Sequence, residues 1–376
     1  MSDTRKTTKP NVPNLRFPGF EGEWDKLKVR DFTRVVAGAT PATDKKEYWG
    51  GVIRWMNSGE LNLKRVYEVQ GRITQLGYDK TSTKIIPPHS VLIGLAGQGK
   101  TRGTAAMNYV ELCTNQSIAS ILPSDSFYSE FLYQNVESRY KELRDISSGD
   151  GGRGGLNLQM IYNLYIPHCS MQEQKKIGDF LYLLDQRIAI QNKVIEKYES
   201  LIKALCQILI TSPNGTVCHI GDVLKIGSGK DHKHLNIGTI PVFGTGGYML
   251  SVNDWLYEGE SVCIGRKGTI DNPFFVDGKF WTVDTLFYTY DFNGVLPKFC
   301  YYLFRTINWL QYNEASGVPS LSKSTIERIQ IRIPCMDEQA KAVQVLDGVE
   351  MEITCRRKLL NLYKSIKQYL ISQLFI

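Results

Sequence analysis

Two stretches of the chain carry apolar residues at intervals that alternate between four and three. In residues 172–210, nine of the ten positions that step in this way from Ile177 to Leu209 are apolar. In residues 337–376, the same positions shifted by 165 are apolar at eight of ten places. A sustained repeat of 3.5 residues is typical of a coiled-coil seam. We therefore predict two long helices that pack against each other, rather than two amphipathic helices on separate cores, which would not need such strict heptads.

Twelve apolar side chains are the expected contacts of this seam: Ile177, Leu181, Leu184, Ile188, Ile195, Tyr198, Leu346, Val349, Ile353, Leu360, Tyr363 and Leu370. Two polar residues, Gln191 and Arg356, occupy matching seam positions, and we expect them to set the register of the helix pair. At ~1.5 Å per residue, the first helix would be roughly 58 Å long. A rod of this length can hold two globular parts apart.

The sequence outside these helices also repeats. The following segments correspond in pairs: Val29-Arg-Asp31-Phe with Ile220-Gly-Asp222-Val, Ser90-Val-Leu-Ile-Gly94 with Ser261-Val-Cys-Ile-Gly265, Ser148-Gly149 with Ser316-Gly317, Ile166-Pro167 with Ile333-Pro334, and Glu173-Gln174 with Glu338-Gln339. The chain is thus two copies of one unit, each a globular part followed by a helix. We predict an α+β fold with two mixed α/β domains, residues 1–171 and 211–336, separated by two long helices, residues 172–210 and 337–376, packed as an antiparallel coiled coil.

The composition argues against a membrane protein, a disulfide-linked protein and a metal-binding protein. No stretch of the 376 residues reaches the ~20 consecutive apolar residues of a membrane helix, and the first ten residues are polar. Eight scattered cysteines without a C-x-x-C pair indicate reduced thiols, so we expect a cytoplasmic protein. The five histidines match no common metal-ligand spacing, and we expect no metal site. Each helical stretch has a net charge of +1, so +5 of the total +7 belongs to the globular parts.

One segment matches a nucleotide-binding motif. Gly94-Leu-Ala-Gly-Gln-Gly-Lys-Thr101 fits G-x-x-x-x-G-K-[ST] and follows an apolar strand. A P-loop opens a helix, whereas the sequel here, Arg102-Gly-Thr104, is a poor helix start. The second copy, Gly265-Arg-Lys-Gly-Thr269, keeps the glycines and the basic residues and loses the lysine–threonine pair. A basic glycine-rich loop that contacts DNA phosphates explains both copies, and a P-loop NTPase built on residues 94–101 is the alternative.

Polar and basic side chains suited to phosphates and base edges recur on the predicted loops of both globular parts. Arg54 and Asn57 are of the types that pair with guanine and adenine edges, respectively. The candidate DNA-binding residues are Arg54, Asn57, Ser58, Lys84, Gln98, Lys100, Arg102 and Arg153 in the first copy, and Lys230, His232, Lys233, His234, Arg266, Lys267, Ser320 and Lys323 in the second. No catalytic residue is predicted.

This arrangement resembles the specificity subunits of type I restriction–modification systems. The residues that carry the resemblance are Asn14-Leu-Arg-Phe-Pro-Gly-Phe-Glu-Gly-Glu-Trp24, the two Ile-Pro…Glu-Gln openings of the helices, the loop at residues 94–103, and Ile240-Pro-Val-Phe-Gly-Thr-Gly-Gly247. The resemblance covers essentially the whole chain.

The resemblance implies a non-catalytic subunit with two target-recognition domains. Each domain would read one half of an asymmetric, bipartite site in double-stranded DNA, and the helices would fix the gap between the halves. Two methylation subunits and the restriction, or translocase, subunits would be its partners. S-adenosylmethionine, ATP and Mg²⁺ would be bound by those partners, with no cofactor in this chain.

Overall fold

The computed structural model describes residues 11–97, 101–147, 154–210 and 215–376. The chain divides into two compact units, one comprising Met1–Ile190 with Leu360–Ile376 and the other comprising Gln191–Leu359. Each unit contains one globular domain and a part of both long helices. The eight cysteines are free thiols. Within the described residues, no helix is long and apolar enough to cross a membrane.

The domain of the first unit is built on three small sheets. A five-stranded sheet has the order Val35–Ala37, Ile118–Ile121, Val91–Gly94, Ala105–Asn108, Arg65–Val66. A three-stranded sheet has the order Arg72–Ile73, Trp49–Met56, Cys113–Thr114, and a two-stranded ribbon pairs Asp25–Lys28 with Tyr165–His168. The central strand Val91–Gly94 is buried along its whole length, as its continuous apolar sequence requires.

The helices of this domain pack around the sheets. The α-helices are Val29–Phe32, Gln75–Asp79, Ser129–Ser138, Tyr140–Ile146 and Leu158–Tyr162, and the 3₁₀ helices are Lys46–Tyr48 and Ser58–Leu63. Ser129–Ser138 supplies Phe131, Leu132, Tyr133 and Val136 to a core that also contains Trp24 and the side chains of the long helices. The domain is therefore joined to the helices by a shared apolar core.

The domain of the second unit repeats this plan with shorter connections. One four-stranded sheet has the order Lys225–Ser228, Leu286–Tyr290, Ser261–Gly265, Phe274–Val276, and another has the order Gly247–Val252, Ile237–Gly244, Lys279–Thr282, Tyr257–Glu258. A two-stranded ribbon pairs Thr216–His219 with Gln330–Ile333. The helices are Ile220–Val223, Pro297–Phe304, the 3₁₀ helix Trp309–Tyr312, and Lys323–Glu327.

The two long helices run over Met171–Ile210 and Met336–Leu374, close to the ranges that the heptads predict. In the first unit, Lys367 Nζ lies 2.6 Å from Asp185 Oδ1. In the second unit, Arg357 Nη2 lies 2.6 Å from Glu199 Oε1. Of these two pairs, the one later in the second helix involves the earlier residue of the first helix, as the predicted antiparallel pairing requires. The predicted mixed fold with two repeated domains and a pair of long helices is confirmed.

The predicted seam residues are covered in this pairing. Six are buried, namely Ile177, Leu181, Ile195, Leu346, Ile353 and Leu360. Six are half-buried, namely Leu184, Ile188, Tyr198, Val349, Tyr363 and Leu370. The two polar seam residues do not bind each other. Arg356 Nε donates to Glu352 Oε1 of its own helix at 2.6 Å, and Gln191 Oε1 has no hydrogen-bond partner among the described residues.

The repeat is also seen in the strand register, which corrects one predicted correspondence. Tyr165 pairs with Lys28 and Gln330 pairs with His219, at the start of equivalent ribbons. The offset between the copies is therefore 165, the same as in the helices, and Ile166 corresponds to Ile331 rather than to Ile333. The two Ile-Pro pairs are not equivalent. Ser148-Gly149, which we matched with Ser316-Gly317, lies outside the described residues.

The P-loop alternative is not supported. After the strand Val91–Gly94, residues 101–104 form a turn in which Thr104 N donates to Thr101 O at 3.0 Å. The chain then enters the strand Ala105–Asn108, which pairs antiparallel with Val91–Gly94. A β-hairpin therefore stands where a P-loop needs a helix with its N-terminus facing the phosphates.

Candidate nucleic-acid interface

The two domains build the same loop arrangement at the end of the central strand. In the first domain, Leu95 N donates to Ser117 O at 2.8 Å, and Leu95 O accepts from Leu156 N at 2.9 Å. In the second domain, Arg266 N donates to Thr285 O at 2.8 Å, and Arg266 O accepts from Leu321 N at 2.9 Å. Backbone bonds thus hold three loops together in each copy, and the side chains that they present differ.

A short capped helix follows the third of these loops. Asn157 Oδ1 accepts from Met160 N at 2.9 Å, and Ser322 Oγ accepts from Thr325 N at 3.2 Å. Ser and Asn are favoured N-caps because their side chains satisfy a free backbone N–H at the helix start. This cap fixes the loop that carries Ser320 and Lys323.

The second domain brings five of the predicted DNA-binding residues to one surface. Lys267 forms a β-bridge with Ser320, Gly268 N donates to Pro319 O at 2.9 Å, and Lys323 begins the capped helix two residues beyond Leu321. Lys230 N donates to Thr282 O at 2.8 Å, on the segment that leads to Thr285, the partner of Arg266. Lys230, Arg266, Lys267 and Lys323 are exposed and Ser320 is half-buried. We call this group, Lys230, Arg266, Lys267, Ser320 and Lys323, the cationic surface.

The neighbouring segment His232-Lys-His234 has side chains of unequal exposure. Lys233 and His234 are exposed, and the His234 ring lies edge-on to Trp281 with 5.7 Å between centroids. His232 is half-buried, and its Nδ1 atom is buried without a hydrogen-bond partner in the described part of the chain. Trp281 Nε1 donates to Lys230 O at 2.8 Å and so ties this segment to the cationic surface.

In the first domain the predicted residues are less concentrated. Arg102 is half-buried in the turn after the central strand and donates to Gly154 O. Asn57 caps the 3₁₀ helix that Ser58 begins, with Asn57 Oδ1 accepting from Gly59 N at 2.8 Å. Because Asn115 N donates to Met56 O at 3.0 Å, Asn57 also lies beside the loop that contains Ser117.

Three further predicted residues lie outside the structure's described residues, and two lie apart from the loops. Gln98, Lys100 and Arg153 belong to the undescribed ranges. Lys84 is exposed next to the strand Cys113–Thr114. Arg54 pairs with Glu68, with 2.9 Å between Nε and Oε1, and the hydrogen bond from Arg54 holds the pKa of Glu68 down at about 2. Arg54 is thus neutralised by a carboxylate in the free protein.

In the sequence, Gln174 and Gln339 mark only the repeat, but in the structure both are fully buried anchors. Gln339 Oε1 accepts from Leu296 N at 2.8 Å, and its Nε2 donates to Gly294 O and Pro334 O at 3.0 and 2.9 Å.

Gln174 makes the equivalent bonds in the first unit. Its Oε1 accepts from Tyr128 N at 2.9 Å, and its Nε2 donates to Ser126 O and Cys169 O at 3.1 and 2.9 Å. Leu296 and Tyr128 are the residues that precede the helices Pro297–Phe304 and Ser129–Ser138. Each glutamine therefore fixes its domain on the start of a long helix.

An ion-pair network of the first unit, formed by the half-buried Arg65 and Asp185 with the buried Glu130, was not predicted. Arg65 Nη2 lies 2.8 Å from Asp185 Oδ2, and the same guanidinium pairs with Glu130 and lies over the Tyr133 ring at 4.4 Å. Burial opposes ionisation of Asp185, but Lys367 and the hydrogen bonds from Gln134 and Arg65 prevail and lower its pKa. No periodic signal marks Arg65, since its partners are 65 and 120 residues away.

The outer faces of the long helices carry exposed apolar side chains. They are Leu183, Ile190, Leu201, Ile208, Val345, Met351, Leu362, Ile366 and Tyr369. Apolar side chains that form a contiguous exposed patch are typical of a surface that binds another protein. As for metals, the described residues include no group of three or more His, Cys, Asp or Glu side chains that could hold an ion.

Comparison with known families gives a match over most of the chain. The family model described as "Type I restriction modification DNA specificity domain" matches residues 21–200 and 215–362. The two matched segments correspond to the two copies of the repeat.

Three relatives have the same kind of description. The MjaIX specificity subunit of Methanocaldococcus jannaschii is 33% identical over 46% of this chain and 41% of its own length. The EcoR124I/EcoR124II specificity subunit of Escherichia coli is 23% identical over 50% of each protein. The EcoprrI specificity subunit of Escherichia coli is 21% identical over 88% of each. The chain thus matches about half the length, or less, of the first two relatives.

Solved structures share the fold. The S subunit of a type I restriction–modification system from M. genitalium has a TM-score of 0.68 at 17% identity, covering 97% of this chain and 99% of that one. A structure from work on complex assembly and conformational transition of the type I R-M system has a TM-score of 0.57 at 14% identity, covering 96% and 98%.

Proposed function

Because the chain belongs to the family of type I restriction modification DNA specificity domains, we propose that it is the subunit that recognises DNA sequence in a type I restriction–modification complex. The observation that carries this proposal is the loop arrangement that both domains repeat. Leu95 and Arg266 have the same backbone bonds and present different side chains. The two domains would therefore read two different half-sites, so that the whole target is bipartite and asymmetric.

The second domain offers the clearest contact surface for DNA. Four exposed lysine and arginine side chains of the cationic surface would contact phosphates, and Ser320 would contact phosphates or base edges. In the first domain, Arg102, Asn57 and Ser58 would act with Lys84 and with Gln98, Lys100 and Arg153. Arg54 would first have to exchange its bond with Glu68 for one with DNA.

The chemistry of the complex would belong to other subunits. The apolar side chains exposed on the long helices would be covered by two methylation subunits, and restriction or translocase subunits would join them. S-adenosylmethionine, ATP and Mg²⁺ would be bound by these partners. This chain would contribute binding and geometry without catalysis, in the cytoplasm.

A salt titration of DNA binding tests the role of the cationic surface. The complex with methylation subunits binds a duplex that carries the target sequence, and Kd is measured by fluorescence anisotropy over a range of salt concentrations. Lys267→Ala should weaken binding and reduce the slope of log K against log salt by roughly 0.9, since one phosphate contact is lost. Lys341→Ala, an exposed lysine on the second long helix, is the matched control and should change neither.

Two outcomes would contradict the proposal. Equal affinity for target and scrambled duplexes would exclude sequence recognition. ATP turnover by the purified chain that Lys100→Ala abolishes would show that the chain is itself an NTPase.

A further inference from the structure

The hairpin formed by Ile237–Gly244 and Gly247–Val252 ends beside the cationic surface. A Cβ atom placed on Gly268 would lie 3.6 Å from Thr245 Oγ1, so the hairpin turn adjoins the loop of Arg266 and Lys267. The strand before the turn is tied to the same region, because Phe243 O accepts from Val283 N at 3.0 Å. The turn therefore lies next to the cationic surface.

The turn is open, and the strand that follows it begins with two exposed apolar side chains. A Cβ atom on Gly246 or Gly247 would meet no atom within 4 Å, and Gly247 has a φ of +101°. Tyr248 is 63% exposed and Met249 is 52% exposed. A protruding turn without neighbours can enter a groove that a flat sheet cannot.

The ring of Tyr248 is held in place although it is exposed. Its hydroxyl lies 3.0 Å from Ser251 Oγ, and its ring packs edge-on against Phe243 with 6.5 Å between centroids. Met249 folds back, with its sulfur 2.8 Å from the position of a Cβ on Gly244. A fixed aromatic ring loses little conformational freedom when it stacks on another ring.

From these observations we propose that Tyr248 is a wedge that stacks on a base of the second half-site and opens one base step. The inference rests on the proposed function, since it requires DNA to lie on the cationic surface. Arg266 and Lys267 would hold phosphates next to the turn, which directs the ring toward the bases. Proteins that insert apolar side chains between base steps unstack them and gain sequence selectivity from the ease of that deformation.

At the equivalent position of the first domain, which lies within the described residues, there is no such wedge. Met56 pairs in parallel with Thr114, as Phe243 does with Thr282, so Asn57 stands where Gly244 does. Asn57 caps the 3₁₀ helix Ser58–Leu63 in place of an open turn. The distortion should therefore be confined to the half-site that the second domain reads.

Fluorescence of 2-aminopurine tests this inference, since the signal of this base rises when its neighbours unstack. The base is placed in turn at each adenine of both half-sites that is neither methylated nor next to a methylated base, because methyltransferases flip their target base out of the stack. The duplexes are saturated with the complex of this chain and methylation subunits. The wild type should raise fluorescence at one step of the second half-site. Tyr248→Ala should abolish that rise and weaken Kd by roughly 5- to 150-fold, the range for loss of one base–aromatic stack.

Two further variants separate stacking from general effects on the hairpin. Tyr248→Phe keeps the ring and should keep the rise. Ile237→Ala removes a 96% exposed apolar residue at the other end of the same hairpin and should change neither fluorescence nor affinity. A rise that persists in Tyr248→Ala, or its absence from the wild type during sequence-specific binding, overturns the wedge alone. Failure of the wild type to prefer its target overturns the proposed function and the wedge with it.

Discussion

The buried glutamine at the start of the second long helix makes a quantitative prediction. Gln339→Ala removes three hydrogen bonds, to Leu296 N, Gly294 O and Pro334 O, at a site with no solvent exposure. A typical buried hydrogen bond contributes about 0.5–1.5 kcal/mol to stability, so the loss of three should lower the free energy of local opening by about 3 kcal/mol. The helix Pro297–Phe304 should be affected most, since Leu296 precedes it directly.

Hydrogen–deuterium exchange of peptides that cover Pro297–Phe304 measures this loss locally. If the free energy of local opening falls by about 3 kcal/mol, the amides of this helix should exchange roughly 100-fold faster. Gln339→Glu should also destabilise the site, because a carboxylate oxygen would face Gly294 O and Pro334 O, which now accept from the amide. Gln344→Ala, an exposed glutamine on the same helix, is the control. Equal exchange rates in Gln339→Ala and Gln344→Ala would refute the anchoring role.

Two further predictions concern ion pairs of the first unit. Arg16 Nε lies 2.7 Å from Glu173 Oε1, and the Glu173 side chain is 2% exposed. Arg16→Ala should cost about 3–5 kcal/mol in the free energy of urea unfolding, because it leaves the carboxylate of Glu173 buried and unpaired, whereas replacing the exposed Arg30 with Ala should cost little. The pKa of Asp185 is below its ordinary value of 3.8, so its stabilising contribution is complete above that pH and is lost as the pH falls through the lowered pKa. Asp185→Asn should flatten this acid dependence of the thermal midpoint, and an unchanged dependence would exclude Asp185 as its source.

The long helices could be predicted from the sequence because their signal is local and repeated. Each seam residue is three or four positions from the next, and the pattern extends over residues 172–210 and 337–376. The offset of 165 also identified Gln339 as the residue of the second copy that is equivalent to Gln174. What the pattern could not supply was the role of these glutamines, since their partners lie 43 and 46 residues earlier in the chain.

Short motifs were less reliable than periodicity. The P-loop pattern at residues 94–101 matched by residue type, but the strand that follows it is antiparallel to the one before. Ile166-Pro167 and Ile333-Pro334 matched by identity and are offset by two residues in the ribbon register. In both cases the deciding fact is strand pairing, which a short motif does not contain.

The candidate interface was predicted in part. Residue type and a glycine-rich context pointed to the loops that carry Arg266 and Lys267, and these loops do lie together with Lys230 and Ser320. Residue type alone could not reveal that Arg54 is paired with Glu68. Nor could it identify Tyr248, whose significance depends on its exposure and on the proximity of Thr245 to Gly268.

The most direct test of sequence recognition by this chain is a map of methylated bases in the host genome with and without its gene. The account predicts that one motif loses methylation in the deletion strain, that this motif has two unlike halves separated by a fixed gap, and that all other methylated motifs remain. Restoring the gene should restore it. An unchanged map, or loss of a single uninterrupted palindrome, would contradict the account.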